Sequence, residues 1–182
     1  PRLYIVYAND EDQSDLPIFD TGSTTFDYDM IFTDEQFSGG DRISDTKQVS
    51  IGLTTSLIDE ETGIERIRGS IGQIHYLDDR SVSLGSSVTK AMKRDDSPYA
   101  AELQMRLGSN WRAFAEAQYD SDDSELDRAS TSLKYHGKDN RILNLSYRFN
   151  NKDPLIRNGK EYDDDIEQSD FSAAFPVSRN WD

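Results

Sequence analysis

The sequence predicts an all-β fold of about eight antiparallel strands, each with one apolar and one polar face. Three observations lead there. Apolar and polar residues alternate with period two in successive runs, and Gly-, Asp- and Asn-rich turns separate several of these runs. No stretch of the 182 residues approaches the roughly eighteen consecutive apolar residues that a membrane helix requires.

A first strand is expected at Leu3 to Ala8. The second carries Val49, Ile51, Leu53, Thr55 and Leu57 against Gln48, Ser50, Gly52, Thr54 and Ser56. The turn Asp59-Glu60-Glu61-Thr62-Gly63 leads into Ile64 to Leu77, a less regular strand whose faces the pattern does not assign. In the fourth, Tyr99, Ala101, Leu103, Met105 and Leu107 oppose Ala100, Glu102, Gln104 and Arg106. After Gly108-Ser109-Asn110, Trp111, Ala113, Ala115, Ala117 and Tyr119 oppose Arg112, Phe114, Glu116, Gln118 and Asp120. Ala129, Thr131, Leu133 and Tyr135 then oppose Ser130, Ser132, Lys134 and His136. Past Gly137-Lys138-Asp139-Asn140, Leu143, Leu145, Tyr147 and Phe149 oppose Asn144, Ser146, Arg148 and Asn150. The eighth strand is expected at Ser169 to Val177.

Connection lengths sharpen the fold class. Short turns join strands two to three, four to five and six to seven. The other connections read as longer: Asn9 to Thr46, Asp78 to Pro98, Ser121 to Arg128 and Asn151 to Gln168. Short turns at one end and long loops at the other characterise outer-membrane β-barrels, and strands of about nine to eleven residues cross a bilayer when tilted. This predicts a transmembrane β-barrel wall, with residues 1–182 part of one transmembrane β-barrel domain and 9–46 a long loop on the extracellular side. Val49, Ile51, Leu53, Leu103, Leu143, Leu145, Tyr147 and Phe149 are expected to face lipid. Arg106, Glu116, Lys134, Asn144 and Arg148 are expected to face the lumen. Tyr99, Trp111, Tyr119, Tyr135 and Tyr147, near strand ends, suit an aromatic girdle. Periodicity alone leaves two other readings open: a soluble β-sandwich binding module and a free-standing eight-stranded barrel, which 182 residues would suit.

Composition removes other classes. With 35 acidic against 20 basic residues, a net charge of −15, the chain lacks the basic face that binds nucleic acid. There is no cysteine, hence no disulfide or thiolate metal site within these residues. His75 and His136 lie in different strands without matched metal ligands; His75 reads as a polar residue at a strand end and His136 as a solvated, lumen-facing one. No phosphate loop or nucleophile elbow is present, and Glu60 and Glu61 sit in an exposed turn where burial cannot tune a general acid. The chain is expected not to be an enzyme.

A more specific signal lies between Pro17 and Leu77. The order Ile18-Phe19-Asp20-Thr21, Phe26-Asp27-Tyr28, Ile31-Phe32 and Phe37-Ser38-Gly39-Gly40-Asp41-Arg42-Ile43 is distinctive. It continues through Gln48-Val49-Ser50-Ile51-Gly52-Leu53-Thr54-Thr55, Glu65-Arg66 and Ser70-Ile71-Gly72-Gln73-Ile74. This run resembles the C-terminal half of the LPS-assembly family LptD, also called the organic-solvent-tolerance family. Leu145-Ser146-Tyr147-Arg148 and Phe175-Pro176-Val177-Ser178-Arg179-Asn180-Trp181 are similar to it too. The resemblance covers nearly the whole chain and is looser after Asp78.

The resemblance implies a bacterial outer-membrane barrel of roughly 26 strands that delivers lipopolysaccharide to the outer leaflet, with this chain an open curved segment of that larger barrel. It also implies a plug lipoprotein, LptE, in the lumen, outer-membrane lipid around the wall, and a periplasmic bridge protein, LptA, reached through an N-terminal jelly-roll domain. The chain begins Pro1-Arg2-Leu3 and ends Asn180-Trp181-Asp182, so both ends read as cut. The jelly-roll domain, the early strands with the lateral exit, and the final strands and paired cysteines of the family are expected to lie outside it.

Within the first connection, Phe37, Ser38, Gly39, Gly40, Asp41 and Arg42 are the candidate site. The glycines permit backbone angles that other residues resist, and Asp41 with Arg42 can fix a loop through charge-assisted hydrogen bonds. The functional expectation is a loop folded inward to cap the lumen or meet the plug; the bland one is a loop that only orders itself. No cofactor is expected. The acidic clusters Asp10-Glu11-Asp12, Asp78-Asp79, Asp95-Asp96, Asp122-Asp123 and Asp163-Asp164-Asp165 fall on the long-connection side. Divalent cations bridging them to lipopolysaccharide phosphates is one reading; solvated carboxylates are the commoner case.

Overall fold

The computed structural model describes residues 1–9, 11–13, 15–84, 90–157 and 160–176. Its strands in chain order are β1 (Arg2–Tyr7), β2 (Gly22–Ser23), β3 (Phe37–Ser38), β4 (Lys47–Ile58), β5 (Glu65–Tyr76), β6 (Tyr99–Leu107), β7 (Trp111–Asp120), β8 (Glu125–His136), β9 (Ile142–Arg157) and β10 (Lys160–Ala174). All but β2 and β3 form one eight-stranded sheet in the order β1-β4-β5-β6-β7-β8-β9-β10. The sheet is open, its order starting at β1 and ending at β10. Antiparallel register is explicit at β1–β4, β7–β8, β8–β9 and β9–β10. No helix among the described residues is long and apolar enough to cross a membrane.

Turn chemistry explains the hairpins. Gly63 (φ 67°) and Gly108 (φ 67°) take the left-handed conformation, as do Asp139 (φ 59°) and Asn140 (φ 57°) between β8 and β9. Two consecutive positive φ values form the type of two-residue turn whose twist matches antiparallel strands, and Asp and Asn tolerate them best after glycine.

Two connections are shorter than the sequence indicated. The expected loop Ser121 to Arg128 is a turn between Asp120 and Glu125, because β8 begins at Glu125. Asp120 sets that turn: its carboxylate accepts the Asp122 N–H at 2.9 Å and the Asp123 N–H at 3.3 Å. The expected loop Asn151 to Gln168 is mostly strand, since β9 and β10 stay paired out to Arg157↔Lys160 with an irregularity between Asp164 and Ile166. Backbone pairing continues there although the side-chain alternation has lapsed. The contrast in connection length therefore rests on residues 8–46 and 77–98. The first of these holds β2 paired with β3 and a 3-10 turn at Asp29–Phe32, elements the sequence did not announce. Val177 and the Ser178–Trp181 part of the family-like segment lie outside the described residues, as do Asp10 and the side chains of Asp163 and Asp164.

The chain divides into two compact units, Pro1–Leu53 with Ile71–Ala100, and Thr54–Ser70 with Ala101–Asp182. In the first, the buried apolar cluster is Ile31, Phe32, Ile74, Tyr76 and Ala100, with Tyr4, Phe26 and Tyr28 packed against it. Buried with it are Gln48 and Ser50, while Ile51 is 61% exposed and Leu3 and Ile5 are exposed beside it. Polar residues of β4 are thus covered, and its apolar residues face outward. The same register settles the irregular third strand: Ser70, Gly72, Ile74 and Tyr76 are buried, while Ile71 and His75 are exposed.

In the second unit, register carries the two faces across β7 to β10. Ala113↔Leu133, Leu133↔Leu145 and Leu145↔Phe171 make an apolar row, and Ala115↔Thr131, Thr131↔Tyr147 and Tyr147↔Ser169 make the next. On the opposite face lie Arg112↔Lys134, Lys134↔Asn144 and Asn144↔Ser172, then Glu116↔Ser130, Ser130↔Arg148 and Arg148↔Gln168. Directly opposite residues share a face in an antiparallel pair, so the alternation read in single strands extends across four of them.

Candidate functional site

The Phe37–Arg42 signature closes a clasp on residues 16–21. Asp41 Oδ2 accepts the Phe19 N–H at 2.8 Å, the Asp20 N–H at 3.0 Å and the Thr21 hydroxyl at 3.0 Å. In return the Asp41 N–H donates to Thr21 Oγ1 at 3.1 Å. These donors, led by the two backbone N–H groups, hold the Asp41 carboxyl down at about 2, against an ordinary value of 3.8. Arg42 is buried; its Nη2 donates to the Leu16 carbonyl at 2.9 Å and its Nη1 to the Asp41 carbonyl at 3.0 Å. Both charges therefore secure the backbone of 16–21 by charge-assisted hydrogen bonds.

The two glycines differ. Gly39 has φ 91°, and a Cβ there would lie 2.9 Å from Thr21 Oγ1 and 3.1 Å from the Asp20 carbonyl oxygen, whereas a Cβ at Gly40 would meet nothing within 4 Å. Only Gly39 is demanded by the geometry. The clasp leaves an apolar set in the open: Phe19 is 82% exposed, and Leu16, Ile18 and Ile43 are exposed too.

The same connection is seated on the sheet by a second pair of glycines, which the sequence reading passed over. A Cβ at Gly52 would lie 2.5 Å from Phe32 Cζ and 2.9 Å from Tyr28 Oη. One at Gly72 would lie 2.8 Å from the Ile51 carbonyl and 3.1 Å from Ile31 Cδ1. Neighbouring strands thus supply a bare patch, and the apolar 3-10 turn fills it. Glycine inside a strand marks close approach, and that was the available signal. The Arg2 guanidinium stacks 4.1 Å from the Phe32 ring centroid. The Gln48 amide donates to the Thr33 carbonyl at 3.2 Å. Asp45 joins the two long connections, accepting from the Ser81 hydroxyl at 2.7 Å and from the Val82 N–H at 3.2 Å.

The other candidate residues fall as follows. Ile51, Leu53, Leu103, Leu145 and Tyr147 are exposed; Val49, Leu143 and Phe149 are half-buried. The structure puts Leu143, Leu145, Tyr147 and Phe149 together on one face and Glu116, Lys134, Asn144 and Arg148 on the other. Glu116 accepts from the Ser130 hydroxyl at 2.7 Å, and the Asn144 amide donates to Ser172 Oγ at 3.0 Å. Arg106, Arg112 and Lys134 share one concavity with Arg66 and Arg68. Of the aromatic set, Trp111 and Tyr135 pack against each other across strands at 4.7 Å between centroids with their planes tilted by 44°, and Tyr99 and Tyr119 are exposed.

Several acidic side chains outside the strands are held by local partners. Asp59 is drawn down to about 2 by the Thr62 hydroxyl and by Arg66, and Asp78 is lowered by Lys47 at 2.9 Å. His75 Nδ1 lies 2.8 Å from Asp96 Oδ1, a partner the sequence reading missed. Among the described residues no group of three or more His, Asp or Glu side chains could hold a metal ion.

Antiparallel strands with exposed apolar rows on one face, and a polar face partly covered by a folded connection, define an open segment of β-barrel wall. Sequence comparison makes the assignment specific. Residues 1–181 match the family model described as LptD, LPS transport system D, and the chain belongs to that family. It is 35% identical over 179 residues to the LPS-assembly protein LptD of Hahella chejuensis, covering 98% of this chain and 21% of that protein. It is 34% identical to the protein of the same name from Pseudomonas fluorescens (100% and 22% covered) and 36% identical to that from Alkalilimnicola ehrlichii (97% and 22%). The chain spans about a fifth of the length of these relatives.

Proposed function

We propose that this chain is part of an outer-membrane barrel that inserts lipopolysaccharide into the outer leaflet, working with a lipoprotein that plugs its lumen. The observation that carries the reading is the inverted burial of β4: Gln48 and Ser50 are covered while Ile51, Leu53 and Leu57 are exposed. A water-soluble sheet buries the apolar row; a barrel wall turns it to hydrocarbon. Val49, Ile51, Leu53, Leu103, Leu143, Leu145, Tyr147 and Phe149 then meet lipid, and Arg106, Glu116, Lys134, Asn144 and Arg148 line the aqueous interior. Membership in a family whose relatives are named LPS-assembly proteins supports the cargo. The wall holds and guides; no bond is made or broken by it.

Residues 9–46 fold into the lumen from the extracellular side in this reading. The Asp41 clasp holds Leu16, Ile18, Phe19 and Ile43 as an apolar surface for the plug lipoprotein, which fits their exposure on an otherwise hydrogen-bonded loop. The periplasmic bridge protein engages elsewhere, through the N-terminal domain of the whole protein. A photoreactive residue at Phe19 in the full-length protein, co-expressed with its lipoprotein, tests this. Cross-linking to the lipoprotein is expected, together with its loss and slowed barrel maturation on Asp41→Lys. Unchanged cross-linking and maturation in that variant would reduce the clasp to a loop that orders only itself.

A further inference from the structure

In a chain of net charge −15, the polar face of the second unit gathers cations at its short-turn end. Arg66, Arg68, Arg106, Arg112 and Lys134 line one concavity of about 300 Å³, whose wall also holds Gln104, Phe114, Ser132 and one carboxylate, Glu65. Arg66 is satisfied: its Nε and Nη2 reach Asp59 Oδ2 at 3.2 and 2.9 Å. Among the described residues Arg68 has one exposed contact, to Glu65 at 3.8 Å, and that carboxylate also accepts from the Ser56 hydroxyl at 2.7 Å. Arg106, Arg112 and Lys134 form no ion pair among the described residues, and Arg112 stands directly across from Lys134 in register. Like charges placed opposite each other destabilise a sheet, and a strand face with hydrophilic alternatives does not need them. Their clustering therefore calls for a counter-charge that the described residues do not supply.

We propose that this cluster binds the phosphate groups of a phosphorylated glycolipid as it passes the polar face, with Arg106, Arg112 and Lys134 as the principal contacts and Arg68 beside them. Guanidinium forks match phosphate oxygens two at a time, and a lysine adds a mobile point charge. The concavity admits a phosphate and part of its sugar. Ser132 and Gln104 add neutral donors at its wall. The identity of the glycolipid rests on the transport reading above; the anion chemistry does not.

The test uses the full-length protein in complex with its plug lipoprotein, carrying a photoreactive residue at Ser132. Purified lipopolysaccharide, enzymatically dephosphorylated lipopolysaccharide and inorganic phosphate as competitor are the probes. Cross-linking to intact lipopolysaccharide is expected. It should fall at least about tenfold with the dephosphorylated lipid and in the Arg106→Gln/Arg112→Gln/Lys134→Gln variant, since charge-assisted bonds dominate such a contact. A Lys134→Arg variant should retain it, and inorganic phosphate should compete. Equal cross-linking of both lipids, or of variant and wild type, would overturn the site. So would cross-linking to the lipoprotein in place of lipid, which would make the patch a protein contact, or competition by phosphate without any lipid adduct, which would make it a free-anion site. Delivery of lipopolysaccharide to the surface by the unmodified complex is followed in parallel. Normal delivery without the adduct condemns the phosphate site alone, whereas failed delivery condemns the transport reading.

Discussion

Asp41 and Thr21 exchange hydrogen bonds across twenty residues of chain: the Thr21 hydroxyl donates to Asp41 Oδ2 at 3.0 Å and accepts the Asp41 N–H at 3.1 Å. The same carboxylate oxygen takes the N–H groups of Phe19 and Asp20. One ionised side chain thus sets the path of the loop segment before β2. Because its carboxyl is held at about 2 rather than 3.8, the stabilisation is complete above the ordinary carboxylate range and vanishes as pH falls through about 2. Amide exchange at Phe19 and Asp20 should be insensitive to pH-driven opening near neutrality and lose protection toward pH 2. Asp41→Ala should lower that protection at least about tenfold at neutral pH, since bonds to a charged acceptor are the strong ones.

Gly39 and Gly40 should respond differently to the same substitution. Gly39→Ala forces an L-residue to φ 91° with Thr21 Oγ1 at 2.9 Å from the new methyl, a cost of about 1–2 kcal/mol before any clash is counted. Gly40→Ala meets open space and should be silent. Exchange at residues 19–21 in the two variants reads the difference.

Gly52 tests the seat of the connection independently of the clasp. A methyl there would lie 2.5 Å from Phe32 Cζ, so Gly52→Ala should lift the 3-10 turn at a cost of about 1–3 kcal/mol, typical of overpacking. Limited proteolysis within residues 9–46 should accelerate, while heat-modifiable migration of the folded barrel is retained.

These relationships show where sequence reasoning succeeded and where it stopped. Period-two alternation is local, so it located the eight main strands and assigned both faces from Leu143 to Asn150. It failed where alternation lapses: β8 begins at Glu125-Leu126-Asp127-Arg128, and β10 passes through Asp163-Asp164-Asp165, yet the backbone pairs through both. The long third strand resisted assignment because Ile71 and Ile74 are both apolar and lie on opposite faces, one exposed and one under the loop. Charge-assisted bonding by Asp41 was legible, but two of its partners are the Phe19 and Asp20 backbone N–H groups, which no side-chain pattern reveals. Gly52 was visible as a polar-face glycine and Gly72 only as a glycine in a strand of unassigned faces, and the meaning of both required knowing that an apolar turn descends on them.

Charge placed on the two faces should have unequal cost. Leu145→Arg puts a guanidinium in the apolar row and should cost about 2–4 kcal/mol if that row lies near the bilayer midplane. Asn144→Arg, one residue away on the polar face, should be close to neutral. Urea-driven unfolding of the full-length protein in lipid vesicles measures both.

The most direct measurement is depth-resolved quenching by brominated lipid of single tryptophans introduced in turn at positions 143 to 149 of the full-length protein, its own tryptophans replaced. The account predicts a zigzag, with strong quenching at Leu143, Leu145, Tyr147 and Phe149 and weak quenching at Asn144, Ser146 and Arg148. A flat profile, or one with its maxima on the even positions, would contradict it.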